Sequence, residues 1–282
     1  MTQRATPYAG RLVAFATMHG KERLAAAPFE QHLGARVIAP PGLNTDELGT
    51  FAGDIPRTLS PLDAARTKAR RGMERAGTRL GLASEGTFAG EFGPIHDTEV
   101  LLFLDDDLGI EIVESSTVIS PLAGPRVITD TESGLAYAAL VGFPEQAVIV
   151  SVAGASPAWY KDIRTLDELT TTLDTAFAGA TDADAAEVLI QPDYRAHACP
   201  SRAQHLRELA ARLAQRLGTP CPACGAPGWG QIATRRLPCR ECGEPTNGFA
   251  PGPYGCGRCP HTTAPLGSVT TAGPEWCDAC NP

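Results

Sequence analysis

The sequence predicts an α/β protein: a mixed central sheet flanked by helices, followed by a small domain of zinc-ribbon type. Three observations lead there. Short apolar runs alternate with segments of helical period from residue 11 to 217. The pattern stops at Gly218-Thr219-Pro220, and eight of the nine cysteines follow residue 220 as four equally spaced pairs. The domains are therefore read as 1–218 and 219–282, in a chain of 282 residues, longer than the usual ~100–150 of one domain.

The elements follow in order. "RLVAFAT" (11–17) reads as a strand, 21–34 as helical and "ARVIA" (35–39) as a second strand. Pro28 should kink or split that helix, leaving Lys21 on a brief first turn. Ser60-Pro61-Leu62-Asp63 is a capping signature, with proline at the first helical position and a carboxylate three residues after serine. The helix it opens runs to about Ala76, with Leu62, Ala65, Ala69, Met73 and Ala76 facing the core and Lys68, Arg71 and Arg75 on a neighbouring stripe. "RLGLAS" (79–84) is a short buried strand ending in "EGTFAGEFG", and 99–105 and 110–119 form a hairpin through "DDLG". "AVIVSV" (147–152) and "EVLIQP" (187–192) flank a helix capped by Thr165 and Glu168. A last helix, from about Ser201 to Leu217, turns Leu206, Leu209, Ala210, Leu213 and Leu217 to one side.

Charge excludes some functions. A net charge of −8 and a pI near 5.3 disfavour a protein that tracks a phosphate backbone, and the tail from Thr219 onward is near neutral. Nucleic acid is thus an unlikely partner. No apolar stretch approaches the ~20 residues of a membrane span, and the first twenty residues lack the regions of a signal peptide, so a cytoplasmic protein is expected.

Three segments deliver charge at the end of a strand or the start of a helix, where α/β proteins place ligands. The first holds Thr17, His19 and Lys21 in "TMHGK"; glycine there lets the backbone approach an anion, and the following helix start favours negative charge. The second holds Asp63 and Lys68, and the third Glu85 beside Gly86. "DYRAHACPSR" sets Arg195, His197 and Arg202 around another helix start. A plainer reading stands beside each: a surface turn with an exposed Lys21, a purely structural cap for Asp63, a solvated helix lysine for Lys68, a cap for the arginines and His197. The long polar connection 42–57 offers Thr45, Asp46, Asp54 and Arg57.

The order of these pieces resembles the superfamily of house-cleaning nucleoside triphosphate pyrophosphatases, which includes inosine triphosphatase and the inosine/xanthosine triphosphatases. "TMHGK" is similar to their T-N-x-x-K loop at Thr17 and Lys21, with Met18 in place of asparagine. "DAARTKA" is similar to their capped helix with a carboxylate and a lysine five residues on, and "LGLASEG" to their strand ending in an acidic-glycine motif. Their His-Arg pair at a helix start is matched in "PSRAQHLREL" by Ser201-Arg202. The resemblance implies magnesium-dependent hydrolysis of a nucleotide with release of pyrophosphate: Asp63 and Glu85 hold Mg²⁺, Glu85 also orients water, and Lys21, Lys68 and Arg202 contact the phosphates. The departures at Met18 and Ser201 support the alternative, a non-enzymatic nucleotide- or protein-binding module. The whole chain also resembles a bacterial family known as a domain of unknown function, through "ATMHGKE", "TDELGTFAGDIPR", "ASEGTF", "DYRAHACPSR" and "CDACNP".

The tail's pairs are Cys221/Cys224, Cys239/Cys242, Cys256/Cys259 and Cys277/Cys280. Repeated C-x-x-C pairs without an export signal point to two structural Zn²⁺ sites of four thiolates each and to no disulfides. Spacings of about 14 to 17 residues suit a hairpin and favour joining neighbours, Cys221/Cys224 with Cys239/Cys242 and Cys256/Cys259 with Cys277/Cys280. Interleaved joining stays open. Cys199 reads as a small buried residue. A protein partner for the tail and a homodimer are both compatible with the sequence.

Overall fold

The computed structural model describes residues 6–45, 47, 58–89, 94–154, 157–181, 187–265 and 269–281. Asp46, Asp54, Arg57 and most of the 42–57 connection lie outside them.

The first sheet is mixed. Strands β1 (Leu12–Phe15), β2 (Arg36–Ile38) and β3 (Leu80–Ala89) are parallel, and β4 (His96–Asp105) and β5 (Ile110–Ile119) add antiparallel arms in the order β2-β1-β3-β4-β5. Helix α1 (Glu22–Leu33) crosses from β1 to β2, and α2 (Pro61–Ala76) precedes β3. On one face α1 and α5 (Pro200–Leu217) bury Phe15, Phe29, Leu82, Leu101, Phe103, Leu209 and Leu213. On the other α2 buries Ala65, Ala69 and Met73 against Ala83 and Leu102. The apolar stripe of each helix thus meets one face of a sheet whose strands are apolar on both. Pro28 neither splits nor ends α1: it sits inside the continuous helix, buried, because proline removes only one backbone bond of the ladder.

"AVIVSV" and "EVLIQP" do not join this sheet. As β7 (Val148–Ala153) and β9 (Glu187–Pro192) they form a separate antiparallel sheet with β6 (Arg126–Ile128) and β8 (Ala158–Ile163), in the order β6-β9-β7-β8. Helices α3 (Thr131–Val141) and α4 (Leu166–Thr181) close a second core over it, with Tyr137, Val148, Val150, Leu169, Leu173 and Ile190. The capping box of Thr165 and Glu168 opens α4 as the sequence predicts.

The tail carries β10 (Gly230–Gln231), β11 (Thr234–Pro238), β12 (Pro245–Pro251), β13 (Tyr254–Gly255) and β14 (Thr262–Thr263). It is attached to the first sheet. Gly228 and Gly257 lie against Ile112 of β5, and Arg216 of α5 donates to the carbonyls of Gly228 and Val113 and pairs with Glu114 at 2.6 Å.

Candidate functional site

The pairing of β3 with its neighbours creates the site. β1 runs beside β3 only from Leu80 to Leu82, while β4 pairs with β3 as far as Ala89, so among the described residues β3 has an open edge from Ala83 onward. Glu85 and Gly86 therefore lie inside a ten-residue strand and not at the end of a short one, as the apolar run alone suggests. The chain leaving β1 turns past this edge through Met18, His19 and Gly20, whose φ of 72° glycine adopts without strain, and delivers Lys21.

Alternation along β3 sends Ser84, Gly86 and Phe88 to the α5 side, opposite Leu101, Glu99 and Asp97 of β4, and Glu85 to the α2 side. From α2, Lys68 pairs with Glu85; both side chains are about nine-tenths buried. From α5, Arg202 pairs with Glu99, with 1% and 0% exposed, and donates to the Tyr194 carbonyl at 2.6 Å. Gly86 makes that pair fit, since a β-carbon there would collide with the Glu99 carboxylate and the Arg202 guanidinium. One turn on, His205 Nδ1 lies 2.9 Å from Asp97 Oδ2, so two pairs clamp α5 to β4. Phe88 backs the cluster, stacked on Tyr194 at 4.2 Å and covered by Arg202 at 5.9 Å.

Lys21 reaches the same place. Its Nζ donates to Ser84 Oγ at 3.0 Å and, among the described residues, it forms no ion pair. Desolvation lowers its pKa to about 8, helped by the positive charge of Arg202 and, less, of Lys68; Glu99 and Glu85 oppose the shift. The exposed turn lysine of the plainer reading is thus not what forms. Burial raises the pKa of Glu99, against the pull of Arg202.

Thr17, His19 and His197 form the rim. The Thr17 hydroxyl accepts from the His19 backbone N–H at 3.2 Å, and the His19 ring stacks on His197 at 5.0 Å, joining the loop after β1 to the loop after β9. Burial, and then Arg195 and His19, lower the His197 pKa. Arg195 is committed elsewhere, to Asp193 at 2.6 Å and Asp162 at 2.8 Å; it holds the β9–α5 loop and is not offered to a ligand.

Asp63 is the clearest correction. Its side chain is 57% exposed, accepts from Ser60 Oγ at 2.6 Å and pairs with Arg66 at 2.7 Å, which in turn binds Glu111. It shares no partner with Glu85. The third position of a helix start faces outward along the first turn, so the capping role that the sequence shows is the one the residue performs. The two carboxylates expected to share magnesium are held by different cations, Asp63 by Arg66 and Glu85 by Lys68, and the groups of three or more possible metal-ligating side chains among the described residues are all cysteines. Sequence reasoning also missed Ser84, Asp97, Glu99 and His205. Their signal was present: Asp97 and Glu99 recur with period two at the head of an apolar strand, and Arg202 and His205 recur at i, i+3 on an apolar helix.

The cysteines gather as Cys221/Cys224 with Cys256/Cys259 and Cys239/Cys242 with Cys277/Cys280. This is the interleaved arrangement, not the joining of neighbours. The reason lies in the hairpin: β11 runs from the first pair to the second and β12 from the second toward the third, so the first two pairs stand at opposite ends of it. The Cys239/Cys242 knuckle is its tip, about 17 Å beyond its base for a five-residue strand. β10 pairs with β13 at the base and brings Cys256 back beside Cys221. Ala272 pairs with Pro238 and Arg240 and leads Cys277 to the tip. Sulfur separations of 3.6 and 3.9 Å occur in both groups. Four ligands about 2.3 Å from a tetrahedral zinc are about 3.8 Å apart, and a disulfide is far shorter. Gly225 and Gly243, at φ of 73° and 79°, turn the chain after the first two knuckles. Each group can hold a metal ion. Cys199 is buried, and burial raises its pKa.

Among known families, the profile described as "Domain of unknown function (DUF6671)" matches residues 68–282. That span contains Lys68, Glu85, Glu99, Arg202 and all eight tail cysteines, while "ATMHGKE" lies ahead of it. No curated protein and no solved structure matches the chain, so the pyrophosphatase likeness gains no support from them. No described helix is long and apolar enough to cross a membrane.

Proposed function

We propose that this chain, which belongs to the DUF6671 family, binds a phosphorylated small molecule at the open edge of β3 and carries two structural zinc ions in its tail. One observation carries the reading: Lys21, Lys68 and Arg202, brought from three separate elements, converge on that edge, and Lys21, whose charge Glu99 and Glu85 offset from a distance, is hydrogen-bonded to a hydroxyl and among the described residues forms no ion pair of its own. A desolvated ammonium without a carboxylate partner is stabilised when an anion arrives, and Lys68 and Arg202 add to the attraction. The stacked His19–His197 pair at the rim gives a nucleotide's base a flat neighbour.

Magnesium-dependent hydrolysis is the second reading, and it is disfavoured. The carboxylates near the cations are already neutralised by Lys68 and Arg202, and the expected partner Asp63 stands apart. Closed sites of four cysteines suit structural zinc, since catalytic zinc keeps an open position. Their reduced thiols go with a cytoplasmic location. Phe249 and Trp276, exposed on the tail, favour a protein partner there.

Titration calorimetry with pyrophosphate and a panel of nucleoside triphosphates tests the binding. Lys21→Ala should weaken affinity at least tenfold; unchanged affinity would remove the site. Pyrophosphate release from the same panel with Mg²⁺ or Mn²⁺ would instead restore the hydrolase reading.

A further inference from the structure

The chain uses lysine sparingly. Of its 24 basic residues only Lys21, Lys68 and Lys161 are lysine, and two of the three stand at the β3 edge. Arginine supplies the cation nearly everywhere else, including the fully buried Arg202 beside them. Lysine differs from arginine in one chemical respect that matters here: it can lose its proton near neutrality and act as a nucleophilic amine. The two lysines of the site are held differently. Lys68 is locked on the Glu85 carboxylate. Lys21 forms no ion pair among the described residues: its Nζ faces a neutral hydroxyl, and the cations of Arg202 and Lys68 act on it against the more distant carboxylates of Glu99 and Glu85.

We propose that Lys21 is the reactive amine of this site and forms an imine with the carbonyl group of a small phosphorylated aldehyde or ketone. This inference rests on the anion-binding reading and gives it a ligand class. Lys68 and Arg202 attract the phosphate; burial first, and then the charge of Arg202, disfavour the protonated form of Lys21, so that with its pKa near 8 about a tenth of it is neutral at pH 7. The neutral Nζ attacks the carbonyl carbon, forming the C–N bond as the carbonyl oxygen takes up a proton. The resulting carbinolamine loses one nitrogen proton and that oxygen as water, leaving the C=N bond; no oxidant or reductant is consumed. Ser84 Oγ, 3.0 Å from Nζ, is placed to relay the proton from nitrogen to oxygen.

Borohydride trapping tests the step on the full chain with its metals in place. Glycolaldehyde phosphate is the probe and unphosphorylated glycolaldehyde the control; the reduced adduct is located by peptide mass mapping among the three lysines. The expected result is a phosphorylated adduct on Lys21 at least tenfold above Lys161, with the unphosphorylated control labelling Lys21 at least fivefold less. Lys21→Arg, shown to be folded by its metal content and thermal unfolding, should lose that adduct. No adduct on Lys21 in the wild type, or equal labelling of all three lysines, overturns the imine. Pyrophosphate binding without an adduct overturns it while leaving the anion site intact. Equal labelling of Lys21 by both aldehydes, with no pyrophosphate bound, overturns the phosphorylated ligand class together with the anion-binding reading.

Discussion

Lys21 concentrates the electrostatics of the molecule in one side chain, and its depressed pKa fixes the sign of two pH effects. The ammonium that attracts an anion loses its proton as pH rises through about 8, so pyrophosphate affinity should hold below that value and decline above it. Calorimetry across pH 6.5 to 9.5 reads this directly; a flat profile would mean that Lys21 takes no part. Stability moves the other way. The unfolded chain keeps the lysine proton up to ~10.4, so between the two values the unfolded state binds more protons and folding gains as pH rises. Urea unfolding at pH 7 and pH 9.5 should show this gain in the wild type and a smaller one in Lys21→Met. Asp63 shows the converse at the same scale: a carboxylate at a helix start is explained by its cap and its arginine, and needs no ligand.

The pairing of α5 with β4 belongs to the scale of elements. Arg202 and His205 come from one face of the helix, Glu99 and Asp97 from one face of the strand, and the two periods coincide for one turn. Removing one partner of such a buried pair strands the other charge, so Arg202→Met should cost about 3–5 kcal/mol. The double variant Arg202→Met with Glu99→Met should recover most of that loss, because no uncompensated charge remains. Denaturant melts of the wild type and the two variants check this; a double variant as unstable as the single would mean that packing over Gly86 and Phe88, not charge, is what the pair supplies. The hairpin β11–β12 is the second element with a decisive role, since its length keeps one knuckle at the tip and another at the base.

Across the whole molecule, the two cysteine groups are not equivalent. Cys221, Cys224, Cys256 and Cys259 sit at the hairpin base, near the attachment to Ile112 and Arg216, while the other four cysteines hold the far end. Chelation should release two metal ions per chain and unfold the tail, whose hydrophobic core among the described residues is the small cluster of Leu237, Ala250 and Ala272. Cys224→Ser should raise hydrogen exchange over the tail and at β5, and Cys242→Ser only at the hairpin tip; equal effects at β5 would show that the tail responds as one unit. Periodicity and capping residues by themselves determined α1, α2, α4 and α5 and the strands β1 to β5, β7 and β9, because a helix cap and an apolar face are local properties of a dozen residues; α3, β6, β8 and the short strands of the tail were not read from them. Spacing likewise determined the eight tail cysteines as candidate metal ligands. Only the tertiary structure decided that the strands divide into two sheets, that the cysteine pairs interleave, that Asp63 stands apart, and that Ser84 and Glu99 join Lys21, Lys68 and Arg202. Each of these depends on which distant strand pairs with which, and so on where β1 stops beside β3 and how far the β11–β12 hairpin reaches. Pairing register is a property of packed elements, and no local run of residues contains it.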